Sequence, residues 1–385
     1  MTVLFWFCFF MIFYTYVGYP MLLAILSLVR PQRVQQGPNS PKMSVILSIH
    51  NEEKSIEQKI LNLLSLDYPE EKIELLVGSD GSSDQTDAIV SRIQSSRVRF
   101  LRFAVNRGKP SVLNDLVKEA TGEILVFTDA RQEMAKDALR LLVENFQDPK
   151  VGCVSGELCF REGGDASVGR GMKLYWNYEK FLRRKEAEMG SMLGATGAIY
   201  AIRRDLFSEL PADTLVDDMY IPFIIIRKGF RAVFDSRAKA YDRVSLRGEE
   251  EFKRKVRTLA GNFQVLGHFL DLLNPRTSPI AIQLISHKLL RLAVPFFLIG
   301  IFIANGFLLR SFYFSFFYFF QILMYGTAIL EAYAENTGRR FQKLGLLYRI
   351  AAISYPFCVL NMAALAGLVQ YVTKQYRVTW EKAYV

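Results

Sequence analysis

From Val3 to Val29 the chain carries no charged residue. That run exceeds the ~20 residues a helix needs to cross a bilayer. A cleaved signal starts with basic residues and has a shorter apolar core. Here the basic residues Arg30, Arg33 and Lys42 follow the run. Residues 1–30 therefore read as a retained transmembrane anchor, with the N-terminus outside and the chain from residue 30 onward in the cytoplasm. Three further apolar segments, Leu289–Leu309, Phe312–Tyr333 and Leu346–Val372, read as spans. Before them, Ile280–Leu292 has apolar residues at helical spacing with Gln283, His287, Lys288 and Arg291 between, the pattern of an interfacial helix. Residues 276–385 are thus expected to be an interface helix followed by membrane helices. Charge sets a conflict within them. Arg339, Arg340 and Lys343 favour the inside, and so do Lys374, Arg377 and Lys382, yet one span separates the two groups. A tilted, re-entrant or interfacial last segment would relieve it.

The rest of the chain is mixed in character. With 51% hydrophobic residues, 30 Phe and 18 Tyr, the protein is too apolar for an ordinary soluble domain, and 22% charged residues are too many for a wholly embedded one. A net charge of +10 fits nucleic acid, anionic lipid or a phosphorylated ligand. Arg183, Arg184, Lys185, Arg203 and Arg204 are dispersed through mixed sequence rather than gathered in a tail. Bilayer headgroups and nucleotide phosphates are the expected partners, and nucleic acid is not. The four cysteines have no metal-ligand spacing, and Cys153 and Cys159 are expected as free cytoplasmic thiols. Three scattered histidines do not suggest a His-based metal site.

Residues 40–275 alternate between strand and helix patterns. Met43–Ile49, Ile73–Val77, Val98–Phe103 and Glu123–Thr128 are short apolar runs; Ser55–Leu66, Thr86–Gln94 and Ser111–Ala120 have helical spacing. Such alternation predicts an α/β, Rossmann-like domain with a mostly parallel sheet. Ligands of such sheets bind beyond the carboxyl ends of the strands. His50-Asn51-Glu52, Asp80-Gly81 and Asp129 all follow strand ends, so the three loops are expected to meet at one crevice.

The order Ser48-Ile49-His50-Asn51-Glu52-Glu53, Ser79-Asp80-Gly81-Ser82, Asn106-Arg107-Gly108-Lys109, Thr128-Asp129-Ala130-Arg131, Gly194-Ala195-Thr196-Gly197, Asp217-Asp218 and Arg254-Lys255-Val256-Arg257-Thr258 resembles family 2 glycosyltransferases with the GT-A fold. The resemblance runs from about residue 40 to 265. It is closest to the membrane-embedded branch that includes cellulose, chitin-oligosaccharide, hyaluronan and poly-N-acetylglucosamine synthases.

The resemblance implies donor-binding roles for Glu52 and Asp80, which match acids that contact the nucleoside. Glu52 could equally serve the N-terminus of the following helix, and Asp80 could be a turn-former. Ser79 stands where the family usually has an acid. Lys109 matches a loop near the donor diphosphate, or is part of a solvated basic turn. Asp129 matches the first acid of an Asp-x-Asp motif that holds Mg²⁺ or Mn²⁺, and is otherwise a turn aspartate. Arg131 replaces the second acid, which weakens metal coordination and offers a cation of its own to phosphate. Thr196 and Gly197 match the acceptor-side loop, where small residues permit close approach, or form an ordinary tight turn.

Asp217-Asp218 matches the catalytic acidic pair, with Asp218 as general base and Asp217 able to raise its pKa. Aspartate also suits the cap of a helix over Met219–Arg227. Arg254 and Arg257, at i and i+3, share a helix face and could grip the leaving diphosphate. A lipid-facing basic helix has the same pattern. The family's tryptophan after the second arginine is Thr258 here. That change, with only four candidate spans, leads to the expectation of one or a few sugars added rather than a long polymer.

The implied function is an inverting, multi-pass glycosyltransferase of the plasma (inner) membrane with its catalytic domain in the cytoplasm. Its donor would be a nucleotide-diphosphate sugar, UDP-linked, and its acceptor a glycan or lipid-linked glycan of the cell surface or an exopolysaccharide. Two alternatives are single-sugar transfer to a polyprenyl-phosphate carrier and a non-enzymatic channel component with a nucleotide-binding domain. The membrane segments contain no internal repeat and few charges, which disfavours a transporter.

Overall fold

The structure is a computed structural model that describes residues 1–161, 168–243, 248–337, 346–376 and 378–379. The charge-free N-terminal run is helical throughout, as α1 (Thr2–Phe13), one π-helical turn and α2 (Tyr19–Val29). The apolar, β-branched runs become strands. β1 (Met43–Ile49) is buried along its whole length, as expected of a strand covered on both faces. It is followed by α3 (Ile56–Leu64), β2 (Ile73–Asp80), α4 (Thr86–Arg92), β3 (Val98–Phe103), α5 (Lys109–Glu119) and β4 (Ile124–Thr128). The domain continues with β5 (Glu133–Met134), α6 (Ala138–Glu144), β6 (Val151–Arg161), α7 (Val168–Glu188), β7 (Tyr200–Arg203), α8 (Asp217–Arg227), β8 (Arg231–Arg243) and α9 (Gly248–His268).

The strands form one eight-stranded sheet in the order β3-β2-β1-β4-β7-β6-β8-β5. The β3-β2-β1-β4 half is all parallel; the other half mixes antiparallel β4–β7, β6–β7 and β5–β8 pairs with a parallel β6–β8 pair. Alternation along β1 sends Ile46 into a core with Val112, Leu113 and Leu116 of α5. It sends Val45, Leu47 and Ile49 into the opposite core with Ile56, Ile60 and Leu63 of α3. Each such fully buried side chain contributes about 1.5–3 kcal/mol. The strand order reverses at β1/β4, which opens a crevice at their carboxyl ends.

Four helices are long and apolar enough to cross a membrane: Thr2–Val29, Ala281–Gly306, Phe312–Ala334 and Ile353–Thr373. The last three correspond to α10 (Ala281–Gln283) with α11 (Leu290–Gly306), α12 (Phe312–Thr337) and α13 (Leu346–Thr373). Phe5 of α1 packs on Phe314 and Phe317 of α12 at ring separations of 4.9 and 5.6 Å. The expected interfacial helix over Ile280–Leu292 is instead the opening of the same continuous helix as α11. Its polar residues plug into the catalytic domain. His287 Nδ1 lies 2.7 Å from Glu186, Gln283 donates to the Ser191 carbonyl, and Arg291 pairs with Glu179.

Helix α13 leans across the assembly. Ser354 meets Thr327 of α12, Phe357 meets Tyr16 of the anchor, and Tyr371 stacks on Phe263 of α9. A Cβ at Gly367 would lie 2.9 Å from the Ala260 nitrogen of α9, so that contact requires glycine. The final turns of α13 thus rest on α9 of the catalytic domain. Arg339, Arg340, Lys343, Arg377 and Lys382, whose charges set that conflict, lie outside the described residues.

Candidate active site

The crevice is built from strand ends and helix starts. Gly108, at φ +88°, turns the chain into α5 and places Lys109 in its first turn. Lys109 Nζ lies 2.9 Å from Asp129 Oδ1, at the end of β4, and 3.1 Å from Asp217 Oδ1, in the first turn of α8. Burial opposes its charge, but attraction to Asp129 and Asp217 outweighs burial and raises its pKa. Burial works against Asp129 as well, yet the Lys109 ammonium holds its carboxyl below the ordinary range.

Asp217 and Asp218 do not cap α8. The helix begins at Asp217, after Val216, so both acids stand in its first turn beside the positive end of the helix dipole. Tyr200 donates to Asp217 Oδ2 at 3.2 Å, and the Gly197 amide donates to Asp218 Oδ2 at 3.2 Å. Burial and then the neighbouring Asp217 push the Asp218 carboxyl up to about 6. Gly197 separates the acids: a Cβ there would lie 3.3 Å from Asp129 Oδ2 and 3.4 Å from Asp218 Oδ2. The missing side chain leaves both carboxylates open to the same space. Next to Gly197, the Thr196 hydroxyl accepts a hydrogen bond from Arg183 of α7.

Arg257 is exposed to this crevice, though protein surrounds it. Desolvation lowers its pKa, while the charges of Asp217, Asp218 and Asp129 pull it the other way. The α9 helix that carries it is clamped to the segment leading into Asp217. Gln264 accepts from the Leu215 amide at 3.0 Å and donates to the Asp213 carbonyl at 2.8 Å. Gly261 leaves room for Val216, whose Cγ2 would be 2.8 Å from a Cβ there. Arg254, one turn earlier, is exposed.

Asp80 is fully buried, and its two oxygens accept the Arg107 and Gly108 amides at 2.9 and 2.8 Å. In this arrangement it shapes the loop that delivers Lys109. Glu52 borders the crevice at the end of β1. Its carboxylate accepts the Ser55 hydroxyl at 2.6 Å, and its amide donates to Thr86. Asn51 before it has a left-handed backbone, φ +54°, and its side-chain oxygen accepts the Ser83 amide at 2.7 Å. Arg131 is turned toward β8, with its Nη2 2.6 Å from Asp242. Gln132 donates to the same Asp242 oxygen.

Sequence reasoning missed Lys59 and Arg183. Lys59 is buried under the Asp129 turn and donates to Thr128 Oγ1 at 2.7 Å and the Gln132 carbonyl at 2.6 Å. Desolvation lowers its pKa to about 7 against the pull of Asp129. A lysine among Ile56, Ile60 and Leu63 on the apolar face of α3 was the available signal. Arg183 had none beyond its basic neighbours.

For a metal, the described residues contain no group of three or more His, Cys, Asp or Glu that could hold an ion. Asp129 Oδ2 is turned to the open space above Gly197 while Lys109 holds the other oxygen. That geometry fits an ion of the Mg²⁺ type, bound through one carboxylate with diphosphate oxygens and water, and not a cage made of protein ligands.

The mixed sheet with acids at its carboxyl-end crevice has a GT-A-like fold, joined to four helices long and apolar enough to cross a membrane. Residues 44–211 match the family model described as Glycosyl transferase family 2. The poly-β-1,6-N-acetyl-D-glucosamine synthase of Staphylococcus aureus (strain COL) is 26% identical over 230 residues, which cover 58% of this chain and 55% of that protein. The Staphylococcus epidermidis synthase is 25% identical over the same length. The chain thus spans just over half the length of these curated relatives. Among solved structures, the mannosyltransferase PcManGT from Pyrobaculum calidifontis, in complex with GDP-Man and Mn²⁺, superposes with a TM-score of 0.73 at 22% identity, covering 97% of this chain and all of that one.

Proposed function

We propose that the protein is an inverting membrane glycosyltransferase. It takes a sugar from a UDP-linked donor and adds it to a cell-surface or exopolysaccharide glycan at the cytoplasmic face of the plasma membrane. UDP-N-acetylglucosamine is the first candidate donor, because the curated relatives are named for a polymer of that sugar. The observation that carries the reading is the space above Gly197, with Asp218 on one side and Asp129 and Lys109 on the other.

In this reading, Asp218 accepts the proton of the acceptor hydroxyl as that oxygen attacks C1 of the donor sugar. The C1–O bond to the diphosphate breaks, and its electrons remain on the nucleoside diphosphate. A pKa near 6 suits a base working at neutral pH. Asp217 keeps Asp218 basic and holds Lys109 in place. Lys109 and Arg257 offer positive charge to the departing diphosphate, with Arg254 beside them on α9. Glu52 borders the nucleoside end, and Asp80 holds the loop between. Asp129 is the residue that would hold Mg²⁺ or Mn²⁺, which would neutralise diphosphate charge. Thr196 and Gly197 line the acceptor side, and Arg131 with Asp242 closes the far edge.

The test is a donor panel on the purified full chain in lipid nanodiscs, including UDP-N-acetylglucosamine, UDP-glucose and GDP-mannose. Release of nucleoside diphosphate with appearance of glycosylated product is expected for one donor. Product that partitions wholly into organic solvent as a one-sugar lipid would redirect the reading to a polyprenyl-phosphate acceptor. Nucleotide binding with no turnover of any donor would overturn it.

A further inference from the structure

Thr258 provides no aromatic face where the sequence resemblance leads one to expect a tryptophan. Its hydroxyl is instead turned back to the Arg254 carbonyl at 2.9 Å. An aromatic surface stands opposite, on α7. Lys255 Nζ, in the turn of α9 between Arg254 and Arg257, lies 5.1 Å from the Tyr175 ring centre and 5.2 Å from that of Trp176. The two rings are 6.1 Å apart, and Phe160 of β6 packs edge-on against Trp176 at 5.4 Å. Both Trp176 and Tyr175 are half-buried, so the rings are not consumed by the core.

Two further contacts locate this surface. Trp176 and Arg183 are seven residues apart on α7 and therefore share a face, separated by about 10 Å of helix. Arg183 is bonded to Thr196, next to the amide that holds Asp218. Trp176 thus lies one short-saccharide length from the base. In the other direction, Tyr175 faces the Arg291 guanidinium at 5.4 Å, where α11 leaves the catalytic domain. The aromatic pair stands between the catalytic base and the membrane boundary.

We propose that Trp176, with Tyr175 beside it, is the acceptor subsite. It would stack the apolar face of a sugar ring in the acceptor saccharide while the reacting hydroxyl reaches Asp218. Rings of this kind bind carbohydrate through their broad apolar face, and the Lys255 ammonium, which lies over one side of the rings, is a donor for ring hydroxyls. The inference rests on the glycosyltransferase reading above and names which side the acceptor occupies.

The test compares wild type, Trp176→Ala and Trp176→Phe in nanodiscs, using the donor that the panel identifies. Two rates are measured. One is donor hydrolysis by water without acceptor. The other is stimulation of nucleoside-diphosphate release by soluble tetrasaccharides of N-acetylglucosamine, glucose and mannose. Trp176→Ala is expected to keep donor hydrolysis within about twofold and to raise the half-saturating tetrasaccharide concentration by roughly three- to tenfold, with Trp176→Phe retaining most of the wild-type affinity. Equal half-saturating concentrations for wild type and alanine variant would overturn the subsite, as would wild-type hydrolysis that no tetrasaccharide stimulates. Loss of hydrolysis in Trp176→Ala but not in Trp176→Phe would assign the ring to folding of the site and also overturn it. Absence of donor hydrolysis in wild type would strike the underlying reading instead.

Discussion

The raised pKa of Asp218 makes the pH profile a direct probe of the catalytic pair. A general base works deprotonated, so activity is lost as pH falls through its pKa. With a midpoint of about 6, a single titration leaves the base ~90% ionised at pH 7 and ~10% at pH 5, a roughly ninefold fall in rate. An ordinary aspartate, near 4, would leave the rate almost flat over that interval. Two causes raise the value, burial first and Asp217 second. Burial remains when Asp217 becomes asparagine, but the neighbouring charge is removed. Lys109, released from one of its two acids, then pulls Asp218 further down. Asp217→Asn should therefore move the acidic limb down by about one unit, equivalent to about 1.4 kcal/mol of lost repulsion. The assay is nucleoside-diphosphate release at saturating donor from pH 4.5 to 8.5. The midpoint is the readout, because loss of the Tyr200 bond to Asp217 will also lower the maximum rate. A wild-type midpoint near 4, or one that Asp217→Asn leaves in place, would refute the reasoning.

Other outcomes follow from the same geometry. Arg257→Ala should weaken UDP binding in calorimetry as well as turnover; unchanged UDP affinity would make α9 a lipid-facing surface. Chelation by EDTA should lower activity and Mg²⁺ or Mn²⁺ restore it through Asp129; full activity in chelator together with an inactive Arg131→Ala would assign the cation's role to arginine. Gly197→Ala places a methyl 3.3 and 3.4 Å from the two carboxylates and should cut turnover by about tenfold while leaving the melting temperature within a few degrees; wild-type turnover would show that the space above Gly197 is not the reaction site. Lys59→Met leaves the Gln132 carbonyl without its lysine partner and should cost about 1–3 kcal/mol in a reversible unfolding measurement; an unchanged midpoint would show that the Asp129 turn holds itself.

The fold was legible wherever short-range pattern decides it. β1 and β3 have the bounds that their apolar runs predict, and α12 and α13 start where their apolar segments start. The loops at the ends of β1, β2 and β4 do meet, because a parallel sheet leaves its carboxyl ends no other common edge. What the sequence hid depends on contacts between distant segments. Gln283, His287 and Arg291 have the spacing of an interfacial helix, yet their partners Ser191, Glu186 and Glu179 give them a socket in the catalytic domain. Asp80 matches a ligand-binding acid, and its carboxylate also accepts two loop amides that no spacing reveals. The Lys109 bridge between Asp129 and Asp217 joins positions 20 and 108 residues away along the chain, and only the folded sheet brings them together.

Inverting transfer with Asp218 as base is read from the configuration of the bond that is formed. Wild type and Asp218→Asn, in nanodiscs with an α-linked nucleotide sugar labelled at C1, are compared by NMR of the product. Wild type is expected to give a β-linked product, and Asp218→Asn a rate at least about 10²-fold lower with donor binding retained. An α-linked product, or a β-linked product formed by Asp218→Asn at the wild-type rate, would contradict it.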